Sequence, residues 1–210
     1  GGCRGGGGRF GWSANHNLPS FAVPEPAYHG LRFHETFGAL AFTFHGIAIG
    51  LRDLGMTMNP QAAHYTLMGL ETLSLRMQRH CDNALKIATW LEEQETVEAV
   101  TYAGLKSSQY FDRVKKVCPK GAGGLFTVAL KGGYDSCIKF VNALEIFSHV
   151  SNLGDSRSLV IHTASTTHRQ LTVEQQIAAG SAPNVVRISI GIEDPDDLMA
   201  DLKQALATAK

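Results

Sequence analysis

The sequence lacks the signatures of several large function classes. Its 210 residues contain four cysteines, Cys3, Cys81, Cys118 and Cys137, without a C-x-x-C pair or the spacing of a short disulfide framework. No HExxH accompanies its nine histidines, and the pairs His29/His34 and His162/His168 stand without further ligands, so no metal site is expected. A G-x-S-x-G elbow is missing, which argues against a serine hydrolase. Neither charge sign is in excess, with 19 basic against 19 acidic residues. Such a chain projects no field toward nucleic acid or an anionic membrane, and neither partner is expected. There is no 18-residue apolar run and no charged-then-apolar leader. With unpaired cysteines, these features place the expectation in a reducing, cytoplasmic compartment. The first residue is Gly1 rather than Met, so a processed chain or a piece of a longer product is expected.

What is present is the composition of an ordinary globular protein, 44% hydrophobic and 18% charged. Gly1–Gly8 holds six glycines around Cys3 and Arg4, too dense for regular structure, and reads as a frayed end. From Phe10 to Pro26 three prolines forbid a helix while the aromatics demand burial, so an ordered excursion is expected. The spacing of Phe37, Leu40, Phe44, Ile47 and Leu51 predicts a helix over Glu35–Leu54. Asn59-Pro60 starts another, running to about Glu93 with a stripe of Leu70, Leu73, Met77, Ala84, Ile87 and Leu91. His80 on that stripe reads as a satisfied core histidine, and Met68 and Met77 as core filler.

Beyond Glu93 strands alternate with helices. Strands are expected at Val97–Tyr102, Leu125–Leu130, within Phe147–Ile161, and at Val185–Glu193. Helices are expected at Ser107–Val117, Tyr134–Leu144, near Val173–Ala179, and from Asp194 to Ala207. This is an α/β layer with helices on one face. The expected division is a glycine-rich start at 1–9, a helical and loop-like part at 10–94, and a compact α/β domain at 95–210.

Arg187 is the sharpest candidate for function. On a strand it shares one face with Val185, Ser189 and Gly191, opposite the apolar face of Val186, Ile188 and Ile190. A guanidinium in mid-strand requires an anion, and its fork matches a carboxylate. Two readings stay open on spacing alone: a ligand carboxylate, or an internal salt bridge to Glu193 or Asp155. The turn Asn152–Ser158 is dense in small polar groups that can present N–H groups and hydroxyls, either to a ligand or as an ordinary surface turn.

Three stretches together carry a resemblance: GLETLSLRMQRHCDNALKIATWLE, NLGDSRSLVIHTASTTHRQL and VVRISIGIEDPDDLMADLKQAL. In this order and spacing they resemble the carboxyl half of the Cys/Met-metabolism enzymes that depend on pyridoxal phosphate. FGWSANHNLPSFAVPEPAYHGLRFHETFG, LRDLG and NPQAA resemble the insert of the O-acetylhomoserine sulfhydrylase branch. The resemblance implies a fold-type-I, aminotransferase-like α/β architecture, with the tail of a large cofactor domain followed by a small carboxy-terminal domain. It implies that Arg187 holds the substrate α-carboxylate, with Ser158 beside it and Asn152 in the same turn. It also implies pyridoxal 5'-phosphate as cofactor, an amino-acid substrate and a homo-oligomeric parent. The implied reaction of that parent joins O-acetylhomoserine and sulfide to give homocysteine and acetate. A cystathionine γ-synthase, a γ-lyase or a non-catalytic assembly module remain alternatives. The family's Schiff-base lysine follows Ser or Thr and precedes a glycine-rich segment. None of Lys86, Lys106, Lys115, Lys116, Lys120, Lys131, Lys139, Lys203 and Lys210 has that setting. No catalytic residue is therefore assigned, and the chain alone is expected to be inactive. Thr163 stands where many relatives carry proline.

Overall fold

The computed structural model describes residues 7–14 and 17–209. The glycine-rich start falls at 1–6 outside the described residues. Packing divides the chain into two compact units, up to Gly69 and from Leu70 onward.

In the first unit the proline-rich excursion folds into short 3-10 turns at Trp12–Ala14, Pro19–Phe21 and Pro26–Tyr28. Trp12 stacks on Phe21 at 4.0 Å between ring centroids, and Phe21, Phe33 and Ala41 form a small buried core. The single helix expected over Glu35–Leu54 is broken. It becomes α1 (Phe33–Phe37), a 3-10 turn at Gly38–Leu40, α2 (Ala41–His45) and a π-helical segment at Gly46–Asp53. Gly38 takes φ +50°, a left-handed conformation that no α-helix can carry through. The break turns the expected stripe outward: Leu40, Phe44, Ile47 and Leu51 are exposed.

α3 (Pro60–Glu71) starts as the sequence predicts, with Asn59 Oδ1 accepting from Gln61 N at 2.8 Å. The helix expected to run on to Glu93 is interrupted at Thr72, and α4 (Leu73–Glu92) follows. Only the later part of its stripe is buried, namely His80, Ala84, Ile87 and Leu91, while Leu70, Leu73 and Met77 stay exposed. Met68 is exposed too, so neither methionine fills a core here. Because α4 buries its stripe against the sheet, packing draws the boundary earlier than composition suggested at 94/95.

The second unit is a five-stranded sheet with helices on one face. β1 (Val97–Thr101), α5 (Phe111–Val117), β2 (Leu125–Leu130), α6 (Gly133–Ala143), β3 (Ser148–His149), β4 (Leu159–Ile161), α7 (Val173–Ala178), β5 (Val185–Ser189) and α8 (Pro195–Thr208) follow in order. The strand order is β1-β2-β5-β4-β3. All pairs are antiparallel except β3 with β4. Phe126 and Val128 of β2, Val186 and Ile188 of β5 and Val160 of β4 enter one core with α4, α6 and α8. A capping box of Thr172 and Gln175 opens α7, and Asp194 caps α8 with Pro195 in its first turn. No helix among the described residues is long and apolar enough to cross a membrane.

α8 is fastened by Asp201, a nearly buried carboxylate. It accepts from the Glu145 N–H at 3.0 Å, the Ile146 N–H at 2.8 Å and Gln204 Nε2 at 2.9 Å. Bonds to an ionised acceptor stabilise more than neutral ones, and their loss leaves buried donors unpaired. Asp201→Ala is expected to lower unfolding stability by about 2–3 kcal/mol, read as a shifted urea midpoint at unchanged slope.

Candidate functional site

The face of the sheet opposite the helices is where Arg187 stands. In register, Arg187 lies between Thr127 of β2 and Ile161 of β4, and directly opposite residues of antiparallel strands share a face. Val185 and Ser189 adjoin it along β5. Arg187 is half-buried, and among the described residues its guanidinium makes no hydrogen bond and no ion pair. The internal salt bridge that the sequence left open is not formed with either expected partner, because both carboxylates are used elsewhere.

Asp155 is bound within its own turn. Its Oδ1 accepts from Arg157 N at 3.1 Å, and these backbone and side-chain bonds hold its carboxyl below the usual range. Glu193 closes the turn onto the strand exit. One oxygen accepts from Ser158 N at 2.6 Å and the other from Ser158 Oγ at 2.9 Å. Ser158 Oγ in turn accepts from Gly191 N at 2.9 Å. Ser158 is fully buried, so both its donor and its acceptor work inside the chain. Gly154 N donates to Ser189 Oγ at 3.1 Å, and Ile192 N to Ser156 O at 2.9 Å. The structure thus brings the Asn152–Ser158 turn against the strand that carries Arg187. Asn152 itself is exposed, with its Oδ1 accepting from Leu153 N at 2.9 Å.

α4 holds the other side of the strand exit. His80 is buried and its Nδ1 lies 2.6 Å from Ile190 O, an oxygen that can only accept, so Nδ1 carries the proton. This is the satisfied core histidine the sequence suggested. Asn83 Nδ2 donates to Gly191 O at 3.1 Å and Glu193 O at 2.8 Å. Arg79 reaches Ile192 O and Glu193 O at 3.4 and 3.3 Å. The strand ends at Ser189, earlier than expected; Ile190 N still donates to Gly124 O at 2.7 Å, and residues 190–193 otherwise hang on α4, Ser156 O and Ser158 Oγ.

Gly191 shows how tight this clasp is. A Cβ there would strike the Glu193 carboxylate, Ser156 O and the Arg157 carbonyl carbon. Neither Gly191 nor Glu193 was singled out as a site residue by sequence reasoning. A glycine alternating on the arginine's face was the available signal.

His162, at the end of β4, is fully buried, with Nε2 2.8 Å from Pro183 O and Nδ1 3.0 Å from Ser165 Oγ. Burial, with the charge of His149 a lesser cause, lowers its pKa below 6.5 despite the bond to Pro183. Among the described residues no group of three or more His, Cys, Asp or Glu could hold a metal ion. No strand of the sheet carries a lysine, and Lys86 is paired with Asp196 at 2.6 Å.

Comparison with known proteins gives a consistent set of likenesses. A family described as Cys/Met metabolism PLP-dependent enzyme matches residues 27–207. O-acetyl-L-homoserine sulfhydrylase 1 of Thermus thermophilus is 46% identical over 96% of this chain and 48% of its own length. Homocysteine synthase of Schizosaccharomyces pombe is 45% identical over 96% of this chain and 47% of its own. A crystal structure from Campylobacter jejuni, assigned as an O-acetylhomoserine (thiol)-lyase and holding a pyridoxyl-lysine phosphate, superposes with TM-score 0.82. It is 40% identical and covers 93% of this chain and 46% of that one. The chain spans about half the length of the curated relatives it matches.

Two measurements test this geometry. Gly191→Ala is expected to cost about 1–3 kcal/mol by overpacking, seen as a lowered denaturant midpoint. For His162, the folded state disfavours the charged ring, so stability is full above the ordinary pKa of 6.5 and falls as pH drops through the lower folded value. His162→Gln is expected to flatten that acid limb in a pH series of thermal midpoints.

Proposed function

The chain belongs to the Cys/Met metabolism PLP-dependent enzyme family, and from that premise we propose that it supplies the carboxylate-recognising half of an O-acetylhomoserine sulfhydrylase. The reaction replaces the acetate of O-acetylhomoserine by sulfide, giving homocysteine and acetate. The single observation that carries this reading is Arg187, a half-buried guanidinium on a lysine-free sheet face with no anion of its own among the described residues. Two parallel hydrogen bonds to an α-carboxylate would satisfy it. Ser158, Glu193 and Gly191 position the neighbouring turn rather than touching substrate, and Asn152 stands at the rim of that turn.

Pyridoxal phosphate, when bound, supplies the electron sink for bond changes on the amino-acid carbons. Its aldehyde requires a lysine amine, and the residues around Arg187 offer none. No cofactor step is therefore assigned to this chain, whose part is to orient the substrate by its carboxylate. The proposed place of action is the cytoplasm, which accords with free thiols at Cys81, Cys118 and Cys137.

A second reading, an assembly module in a homo-oligomer, is favoured by a specific observation. Leu70, Leu75 and Met77 on the early part of the long helical stretch are 54%, 72% and 42% exposed. Large apolar residues left exposed on a helical stretch are the material of an interaction surface.

The chain supplied with pyridoxal phosphate, O-acetylhomoserine and sulfide is expected to give no homocysteine alone. Co-expression with the amino-terminal half of a relative is expected to restore it. In that complex Arg187→Ala should raise KM for O-acetylhomoserine by about 100-fold or more, with partial recovery in Arg187→Lys. An unchanged KM would remove the carboxylate role. Cystathionine formed with cysteine as acceptor, in place of homocysteine with sulfide, would move the reading to a γ-synthase.

A further inference from the structure

The sheet of the second unit has a free edge at β1, which ends the strand order and pairs with β2 alone. In an antiparallel pair every second residue turns its N–H and C=O away from its neighbour. Among the described residues no hydrogen bond from outside the sheet reaches the backbone of residues 98–101. A groove of about 410 Å³ is walled by Glu92, residues 97–102 and residues 107–110. Side chains of a strand alternate between its two faces. A cavity that touches every residue of β1 in succession therefore follows the edge of the strand, not one face. A bulge sits at the start of the strand, between Val97 and Ala99, and Ala99, Val100 and Thr101 keep regular register beyond it.

The groove is also acidic. Glu92 and Glu98 line it, and among the described residues no lysine, arginine or histidine does. Each carboxylate is met by a neutral donor: Ser107 Oγ donates to Glu92 Oε1 at 2.5 Å, and Asn184 Nδ2 to Glu98 Oε2 at 2.8 Å. Neither forms an ion pair among the described residues. Tyr110 adds an exposed ring on the far wall, a surface on which a cation can rest. We infer that this edge accepts an extended, lysine- or arginine-bearing segment of a partner protein, which joins the sheet as a further strand beside β1. The outward backbone groups of residues 98–101 supply the hydrogen bonds, and Glu92 and Glu98 select the charge. An added strand lies about 4.8 Å from its neighbour, between β1 and the 107–110 wall. A second copy of this chain is the poorer occupant. Pairing β1 with β1 gathers two copies of Glu92 and of Glu98, and like charges facing one another across strands destabilise. Charges on an edge strand guard against such self-pairing. β1 lies two strands from β5 in the sheet, so the inference is independent of the carboxylate role proposed for Arg187.

The test titrates the purified chain with end-blocked, fluorescein-labelled peptides of about seven residues, a strand's length. One alternates lysine with valine, one alternates glutamate with valine, and one is the lysine peptide with its backbone N-methylated. Anisotropy is expected to show the lysine peptide binding at least about 10-fold more tightly than the glutamate peptide, and weakening as salt is added. Backbone methylation should abolish binding. Hydrogen exchange read by mass spectrometry should show residues 98–101 slowed in the complex and β3, at the opposite edge, unchanged. Glu98→Lys should reverse the charge preference. Glu98 is exposed, so this variant keeps the fold, as circular dichroism would check. Equal affinity for the two charged peptides, binding that survives methylation, or no slowing at residues 98–101 would each overturn the inference. So would no binding of the lysine peptide at about 1 mM, or a dimer of the chain through β1 that the peptide does not displace.

Discussion

The carboxylate of Glu193 is the contact on which the rest of this arrangement depends. It takes both hydrogens of Ser158, the amide and the hydroxyl, and the hydroxyl oxygen then takes the Gly191 amide. Two chain segments that are far apart in sequence meet in one corner: the end of the polar turn, where β4 starts, and the exit of β5. Hydrogen bonds to an ionised acceptor stabilise by about 1.5–3 kcal/mol each, so the corner is held more strongly than a turn of neutral contacts. α4 completes it from the other side through His80 and Asn83.

That corner has an electrostatic consequence for β5. A strand bearing an arginine would ordinarily neutralise it with a nearby acid, and Glu193 and Asp155 are the two partners that the sequence suggested. Each is instead committed to backbone N–H groups and hydroxyls, Glu193 at Ser158 and Asp155 at Arg157. The commitment separates the acids from the cation and leaves Arg187 beside Thr127, Ile161 and Ser189 with its fork unused by the described residues. On the proposed function, a substrate carboxylate would meet a donor that need not first release an internal partner, which lowers the reorganisation that binding costs.

Much of this was legible in the sequence, and the failures have physical reasons. Alternation placed Val186 and Ile188 in the core and Arg187 on the opposite face because β5 is covered by helices on one side only. Caps at Asn59 and Asp194 fixed helix starts because their side-chain oxygens pair with local amides, an interaction confined to neighbouring residues. Periodicity misled where it met glycine. Gly38 turned a regular stripe into α1, α2 and a π-helical segment, and the residues predicted to be core face outward. The corner at Ser158, Gly191 and Glu193 could not be read at all, since it joins residues more than thirty positions apart through hydrogen bonds that leave no periodic trace. Spacing could nominate Glu193 only as a partner for Arg187, the role it does not take.

The two misread stripes point the same way. Leu40, Phe44, Ile47 and Leu51 in one unit, and Leu70, Leu73 and Met77 in the other, keep helical apolar spacing without being buried. Burying an aliphatic side chain stabilises by about 1.5–3 kcal/mol, so a pattern of this regularity left in water forfeits stabilisation that the same residues could supply against a partner surface. Arg187 presents the polar counterpart, a cation whose fork no anion among the described residues fills. The exposed apolar residues and the unpaired guanidinium belong to one physical condition, in that the described residues do not supply the complement of either. On the function proposed for this family member, which spans about half of its relatives' length, the apolar residues would meet protein and the guanidinium a substrate carboxylate. On that proposal, the sheet face would serve the carboxylate because Glu193 and Asp155 are held by backbone N–H groups and hydroxyls away from the arginine.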